Sequence, residues 1–140
     1  MALKRDATDA AFSDAVREAS DWTCSRCSRP FPQRKGQDCH ASHFFSRKYL
    51  STRWFADNAT CLCASCHSIV TDDHHEHVAL FRRLLGETRY EWLIQRKQQI
   101  VRYREADKKA IREHFRAQIE HLKIRRRNGE DGPLPLVSYD

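Results

Sequence analysis

Near the N-terminus, Phe12, Ala15, Val16 and Ala19 recur at intervals of three and four, which predicts a short amphipathic helix from Asp9 to Ser20. The pattern then changes character. Between Trp22 and Phe31, a Cys24-Ser-Arg-Cys27 turn is followed by Pro30 and Pro32, a stretch whose small and polar residues let backbone amides turn toward sulfur. A polar connection from Gln33 to Asp38 leads into two short strand-like runs, Cys39 to Phe45 and Asn58 to Cys63, and Cys66 to Val70 then opens a helix with His67 in its first turn. Beyond Glu76 the spacing is helical: Val78, Leu80, Phe81, Leu84 and Leu85 form one face, and Gly86 reads as a stop. From Tyr90 to about Arg126, the positions Leu93, Ile100, Tyr103, Ile111, Phe115, Ile119 and Leu122 fit two helices or one long helix equally well. Asn128 to Asp140, with Gly129, Gly132, Pro133 and Pro135, reads as a disordered tail.

A chain of 140 residues is enough for one compact domain with an extension. The expected organisation is therefore an α+β core over residues 1–86, a basic helical extension over 87–127 and a tail over 128–140. The net charge of +6 favours a polyanionic partner, nucleic acid ahead of an anionic membrane. No apolar run approaches the roughly 20 residues of a membrane span. The first twenty residues lack the apolar segment of a secretory signal, so a cytoplasmic location is expected. In that setting the Cys-x-x-Cys pairs point to metal rather than disulfides.

Cys24, Cys27, Cys63 and Cys66 suit one closed, tetrahedral structural zinc site. Cys39 and Cys61 are then left over and are expected to be ordinary buried thiols. His43 and His67 become free for chemistry. The segment from Ser46 to Trp54 is basic and aromatic, and its Arg47, Lys48 and Arg53 are candidate phosphate contacts; the alternative is a solvated loop with Trp54 in the core. The excess of basic residues from Arg89 to Arg127 reads either as a DNA-facing surface or as solvated helix faces. The run Asp72 to His77 reads as a solvated turn, with Asp73 and His77, four apart, as the pair able to add a ligand.

Asn58-Ala-Thr-Cys-Leu-Cys63-Ala-Ser-Cys66-His67 resembles the second half of the HNH endonuclease motif, in which an Asn precedes a strand, a zinc knuckle and a helix-borne histidine. His43-Phe-Phe-Ser-Arg47 is similar to the segment that supplies the catalytic histidine in the phage NinG (Rap) recombination nucleases, and Phe12-Ser13, Arg53-Trp54 and Leu85-Gly86-Glu87 follow that family's order. The two cysteine pairs are also spaced as in phage endonuclease VII, a resolvase of branched DNA. The resemblance implies a small ββα-metal (HNH) core with a four-cysteine zinc site, an N-terminal helix and a C-terminal helical extension. It further implies that His43 is the general base, that Asn58 ties the hairpin loop, and that His67 holds a catalytic divalent cation, magnesium or manganese. Many HNH proteins place an Asp immediately before the base; here that position is Ser42. His40, on the same strand face as Ser42, is the leading substitute ligand. The implied substrate is DNA, with branched recombination intermediates of the Holliday-junction or D-loop kind in view. The setting would be the bacterial host cytoplasm if the chain is phage-encoded, and a homodimer that cuts both strands is left open. The competing expectation is a zinc-stabilised DNA-binding module without catalysis.

Overall fold

Asp6 opens the first helix. Its carboxylate accepts from the Asp9 amide at 2.9 Å, and the Asp9 carboxylate accepts from the Asp6 amide at 3.0 Å, a capping box that fixes the start of α1 (Ala7–Ala19). The computed structural model describes residues 4–139. After α1 come β1 (Cys39–His43), α2 (Leu50–Arg53), a single 3₁₀ turn (Ala56–Asn58), β2 (Ala59–Cys63), α3 (Ala64–Asp72), α4 (His74–Lys97) and α5 (Glu105–Arg127). The result is a small α+β fold. No helix among the described residues is long and apolar enough to cross a membrane.

The strands form one antiparallel hairpin with Cys39 opposite Cys63, Ala41 opposite Cys61 and His43 opposite Ala59. Pleating puts these residues on one face, and His40, Ser42, Thr60 and Leu62 on the other. The first face packs under α1: Ala41 and Ala59 touch a cluster of Phe12, Ala15, Val16, Trp54, Ile111 and Phe115. Phe12 and Phe115 are fully buried and meet edge-on at 5.0 Å, which fastens α5 to α1. Truncating either ring to Ala would remove about 3–5 kcal/mol. The second face packs under α3, with α4 behind it, around Leu62, Val70, Leu80, Phe81 and Leu93.

At this level one open alternative closes, one expectation holds and one changes. The long periodic segment resolves into two helices, since residues 98–104 break the spacing and leave Ile100 94% exposed. Gly86 ends one helical run as expected: its φ of 77° and ψ of 164° are non-helical, a positive φ that glycine tolerates, and α4 is two helices that meet at this kink, the second resuming at Glu87. The tail, expected to be disordered, docks along the core as far as residue 139, its last residue lying outside the described ones. The Leu134 amide donates to the Ala19 carbonyl at 2.8 Å, the Ala56 amide to Ser138 Oγ at 2.7 Å and His114 Nε2 to the Val137 carbonyl at 2.6 Å. Leu136 joins the α1–α5 cluster, so apolar side chains outweigh the Gly and Pro composition.

A second correction concerns the spare cysteines. Cys39 and Cys61 form a disulfide instead of remaining thiols. The register explains it: they are diagonal neighbours on one sheet face, with Cα atoms 6.0 Å apart, sealed beneath Trp22 and Phe31.

Candidate functional site

The two Cys-x-x-Cys turns converge at one end of the hairpin. Sγ atoms of Cys24, Cys27, Cys63 and Cys66 all lie within 4.8 Å of one another. The 3.8 Å between Cys27 and Cys63 matches the edge of a tetrahedron of sulfurs about 2.3 Å from zinc, which is roughly 3.8 Å. Each turn aims an amide at its own sulfur, from Cys27 to Cys24 at 3.5 Å and from Cys66 to Cys63 at 3.4 Å. Cys63 is also the N-cap of α3, where the helix dipole favours a thiolate. Burial pushes the Cys24 thiol up, but the amides of Cys27, Cys63 and Arg26 outweigh it and bring it down to about 7. Burial pushes Cys66 up to about 12, with the neighbouring thiols adding to it against the pull of Arg26. Four sulfurs so close cannot all ionise without a cation among them, and the set fits a structural ion such as zinc.

On the α3 side of the hairpin, His40 Nδ1 and His67 Nδ1 approach to 2.9 Å, with their rings edge to face. Two bare lone pairs repel at that separation, so a proton or a cation belongs between them. The same distance suits two nitrogens bound about 2.0–2.1 Å from one ion at roughly a right angle. Burial, and then the charge of His40, lower the His67 pKa, which favours the neutral ring a metal needs. His77, from the first turns of α4, stands edge-on to Phe44 at 4.9 Å and to Phe81 at 5.3 Å. Its Nε2 is buried and has no hydrogen-bond partner. Asp73, paired with His77 in the sequence reading, caps α4 by accepting from the His75 amide at 3.0 Å.

His43 does not join this cluster. It lies on the opposite sheet face, its ring 5.7 Å from that of Phe12. Nε2 donates to the Arg53 carbonyl at 3.3 Å; because a carbonyl only accepts, the lone pair is left on Nδ1. Burial lowers its pKa to about 4, with the charge of Arg47 helping and the Arg53 carbonyl opposing, so the ring is neutral at pH 7. The loop that holds it is tied by Asn58, which is fully buried. The Asn58 side chain donates to the Phe45 and Thr52 carbonyls, both at 3.0 Å, and accepts from the Phe45 amide at 2.8 Å.

The basic residues divide. Arg53 is corrected from a phosphate contact to a structural group: it is 8% exposed and bound through Nε to the buried Asp9 carboxylate at 2.9 Å, beside Trp54, which is 5% exposed and donates to Asp9 at 3.0 Å. Burial alone would raise the Asp9 pKa, but Arg53, the Asp6 amide and Trp54 hold it near 2. Arg47 lies 3.6 Å from the same carboxylate and is 31% exposed, while Lys48 is exposed with its ammonium over Tyr49. In the extension, Arg125 pairs with Glu130 at 2.7 Å, and Arg126 donates to the Gly132 carbonyl at 2.6 Å.

Three features escaped the sequence reading: the Asp9–Arg53–Trp54 knot, the Cys39–Cys61 bond and the orphaned nitrogen of His77. Only the first had a local signal, the Asp-x-x-Asp capping box at Asp6. No protein-family profile, curated protein or solved structure matches the chain.

Proposed function

We propose that the chain is a metal-dependent HNH-type endonuclease that hydrolyses DNA phosphodiester bonds, with branched recombination intermediates as its substrate class. The observation that carries this reading is the 2.9 Å approach of His40 and His67, separate from the sulfur cluster and on the strand face that the motif reserves for its ligand. Imidazole nitrogens fit a divalent ion, which when bound would offset charge at a scissile phosphate and make its water more acidic. His40 and His67 would hold that ion. His43 receives the proton of the attacking water at Nδ1, Asn58 positions His43 through the loop, and Arg47 with Lys48 meets the DNA backbone.

The separation of His43 from His67 on opposite faces of the hairpin runs against the expectation that the two rings serve one centre. In a motif whose ligand immediately precedes the base, strand alternation puts the two on opposite faces, and the odd offset from His40 to His43 does the same. Substrate would then lie across the open end of the hairpin. A base with pKa near 4 is neutral at pH 7 and intrinsically weak.

A second reading, a zinc-stabilised DNA-binding module without catalysis, is favoured by one specific observation. Ser42, at the position of the motif's Asp, is 1% exposed and offers no carboxylate. The deciding experiment is a cleavage assay on linear and branched DNA with magnesium, manganese, nickel or zinc. The nuclease reading expects cation-dependent nicking that His43→Ala and His67→Ala each reduce at least about a hundredfold without loss of DNA binding. Salt-sensitive binding with no nicking under any cation leaves the binding module standing.

A further inference from the structure

We propose that Lys97, at the end of α4, completes a phosphate-reading ridge with Lys48 and Tyr49, and that this ridge holds DNA by its backbone without regard to base sequence. The choice of DNA as partner rests on the nuclease reading; the ridge itself is independent of the imidazole pair. Residues 44–54 and 93–104 contain no Asp or Glu, in a chain with 19 acidic residues. The fold sets these two segments side by side. Ser51 Oγ donates to the Lys97 carbonyl at 3.0 Å across 46 positions of sequence, and Arg96 Nε donates to the Ser51 carbonyl at 2.9 Å. Tyr103 packs on Trp54 with ring centroids 5.4 Å apart.

Both ammonium groups stand over one ring. Lys97 Nζ is 4.4 Å and Lys48 Nζ 5.1 Å from the centroid of Tyr49, and Lys97 is also 5.7 Å from that of Phe45. Asp9 reaches this region from α1, but its carboxylate is taken by Arg53 and Arg47, and Asp57 is taken by Arg89. Among the described residues, no carboxylate pairs with Lys48 or Lys97. Two like charges gathered at one ring repel, and a cation–π contact at an exposed site offsets only about 0.5–1 kcal/mol for each. A polyanion laid over them relieves that repulsion. The ridge also borders the loop that carries His43, since the Phe45 amide donates to Asn58 Oδ1 at 2.8 Å. The rings that could stack on bases are engaged by the ammonium groups, and an ammonium is a point charge that selects phosphate over a base edge.

The test is DNA binding by fluorescence anisotropy, using the full chain with its sulfur site filled with zinc and no other divalent ion. The probes are two duplexes of unrelated sequence and a four-way junction, in sodium chloride from about 50 to about 200 mM. Wild type should bind both duplexes alike, with log Kd linear in log salt. Lys97→Met, which keeps the stem packed on Tyr49 and Phe45, should lower that slope by about one and weaken binding equally on both duplexes, with unchanged circular dichroism. Lys97→Arg should restore the wild-type slope. If Lys97→Met keeps the wild-type slope, the ridge falls, and cation-dependent nicking by wild type leaves the nuclease reading standing. A preference of more than about tenfold for one duplex overturns backbone reading. If wild type binds neither duplex nor junction, while phosphatidylserine vesicles take it up, the ridge as a DNA surface and the nuclease reading fall together.

Discussion

The sulfur cluster and the imidazole cluster lie on one hairpin and are built in opposite ways. The four sulfurs come from two tight turns whose own amides aim at them, and three of the four are buried in the core. Their geometry is complete within the fold. The two imidazoles come from separate elements, β1 and α3, and meet outside any larger set of ligands among the described residues. A site that only holds the chain together can be closed, whereas one that handles a substrate must keep a position open. The contrast separates a closed set of sulfurs, which fits a structural ion, from an open pair of imidazoles, to which the proposed nuclease assigns a second one.

The strongest way to break this comparison is to remove each ion in turn. Cys66→Ser, or stripping zinc with a strong chelator, should abolish cooperative unfolding. Structural zinc contributes about 10–16 kcal/mol in small domains, more than most domains of this size hold in total. His67→Ala should change stability by less than about 1 kcal/mol. Urea denaturation followed by circular dichroism compares the two, and equal losses would erase the distinction.

The hairpin loop sharpens it next. Asn58→Ala removes three hydrogen bonds of a fully buried side chain and should destabilise by about 2–4 kcal/mol in the same assay. Zinc content should be untouched, because the loop lies at the other end of the strands.

A pH series tests the dry face. The folded-state pKa of His43 is near 4, below the value of about 6.5 expected in the unfolded chain. Protons therefore favour the unfolded state, and the stability contributed by the neutral ring, complete above about pH 6.5, declines as pH falls toward 4. The shift corresponds to about 3 kcal/mol. His43→Gln should flatten that part of the urea-midpoint profile between pH 7 and pH 5; a slope equal to wild type would place the titrating group elsewhere.

The smallest effect is a count. Alkylation of the unfolded, zinc-stripped chain without reductant should label the four cysteines of the sulfur cluster, and reductant should expose Cys39 and Cys61 as well. Six labelled thiols before reduction would remove the disulfide.

How much of this was legible in the sequence depended on distance along the chain. The knuckles, the hairpin and the helix bearing His67 follow from local spacing, so the strands and the sulfur set were readable from Cys24 to His67. His40 was reachable by strand alternation alone. No short motif announces the unpartnered Nε2 of His77, because its burial against Phe44 depends on an element distant in sequence. The Cys39–Cys61 bond had a signal, since pairing the two predicted strands sets these residues near each other, but the inference of a reducing compartment outweighed it. The tail was misread because Gly and Pro composition hid Leu134 and Leu136, which are half-buried only against elements distant in sequence, Leu136 on the cluster shared by α1 and α5.

The account depends most on two ions at two places. Crystals grown with zinc and cobalt, with anomalous maps measured on either side of both absorption edges, locate each ion directly. The account predicts zinc among the sulfurs of Cys24, Cys27, Cys63 and Cys66, and cobalt between Nδ1 of His40 and Nδ1 of His67. Cobalt found only among the sulfurs, with the two imidazoles turned apart and bare, would contradict it.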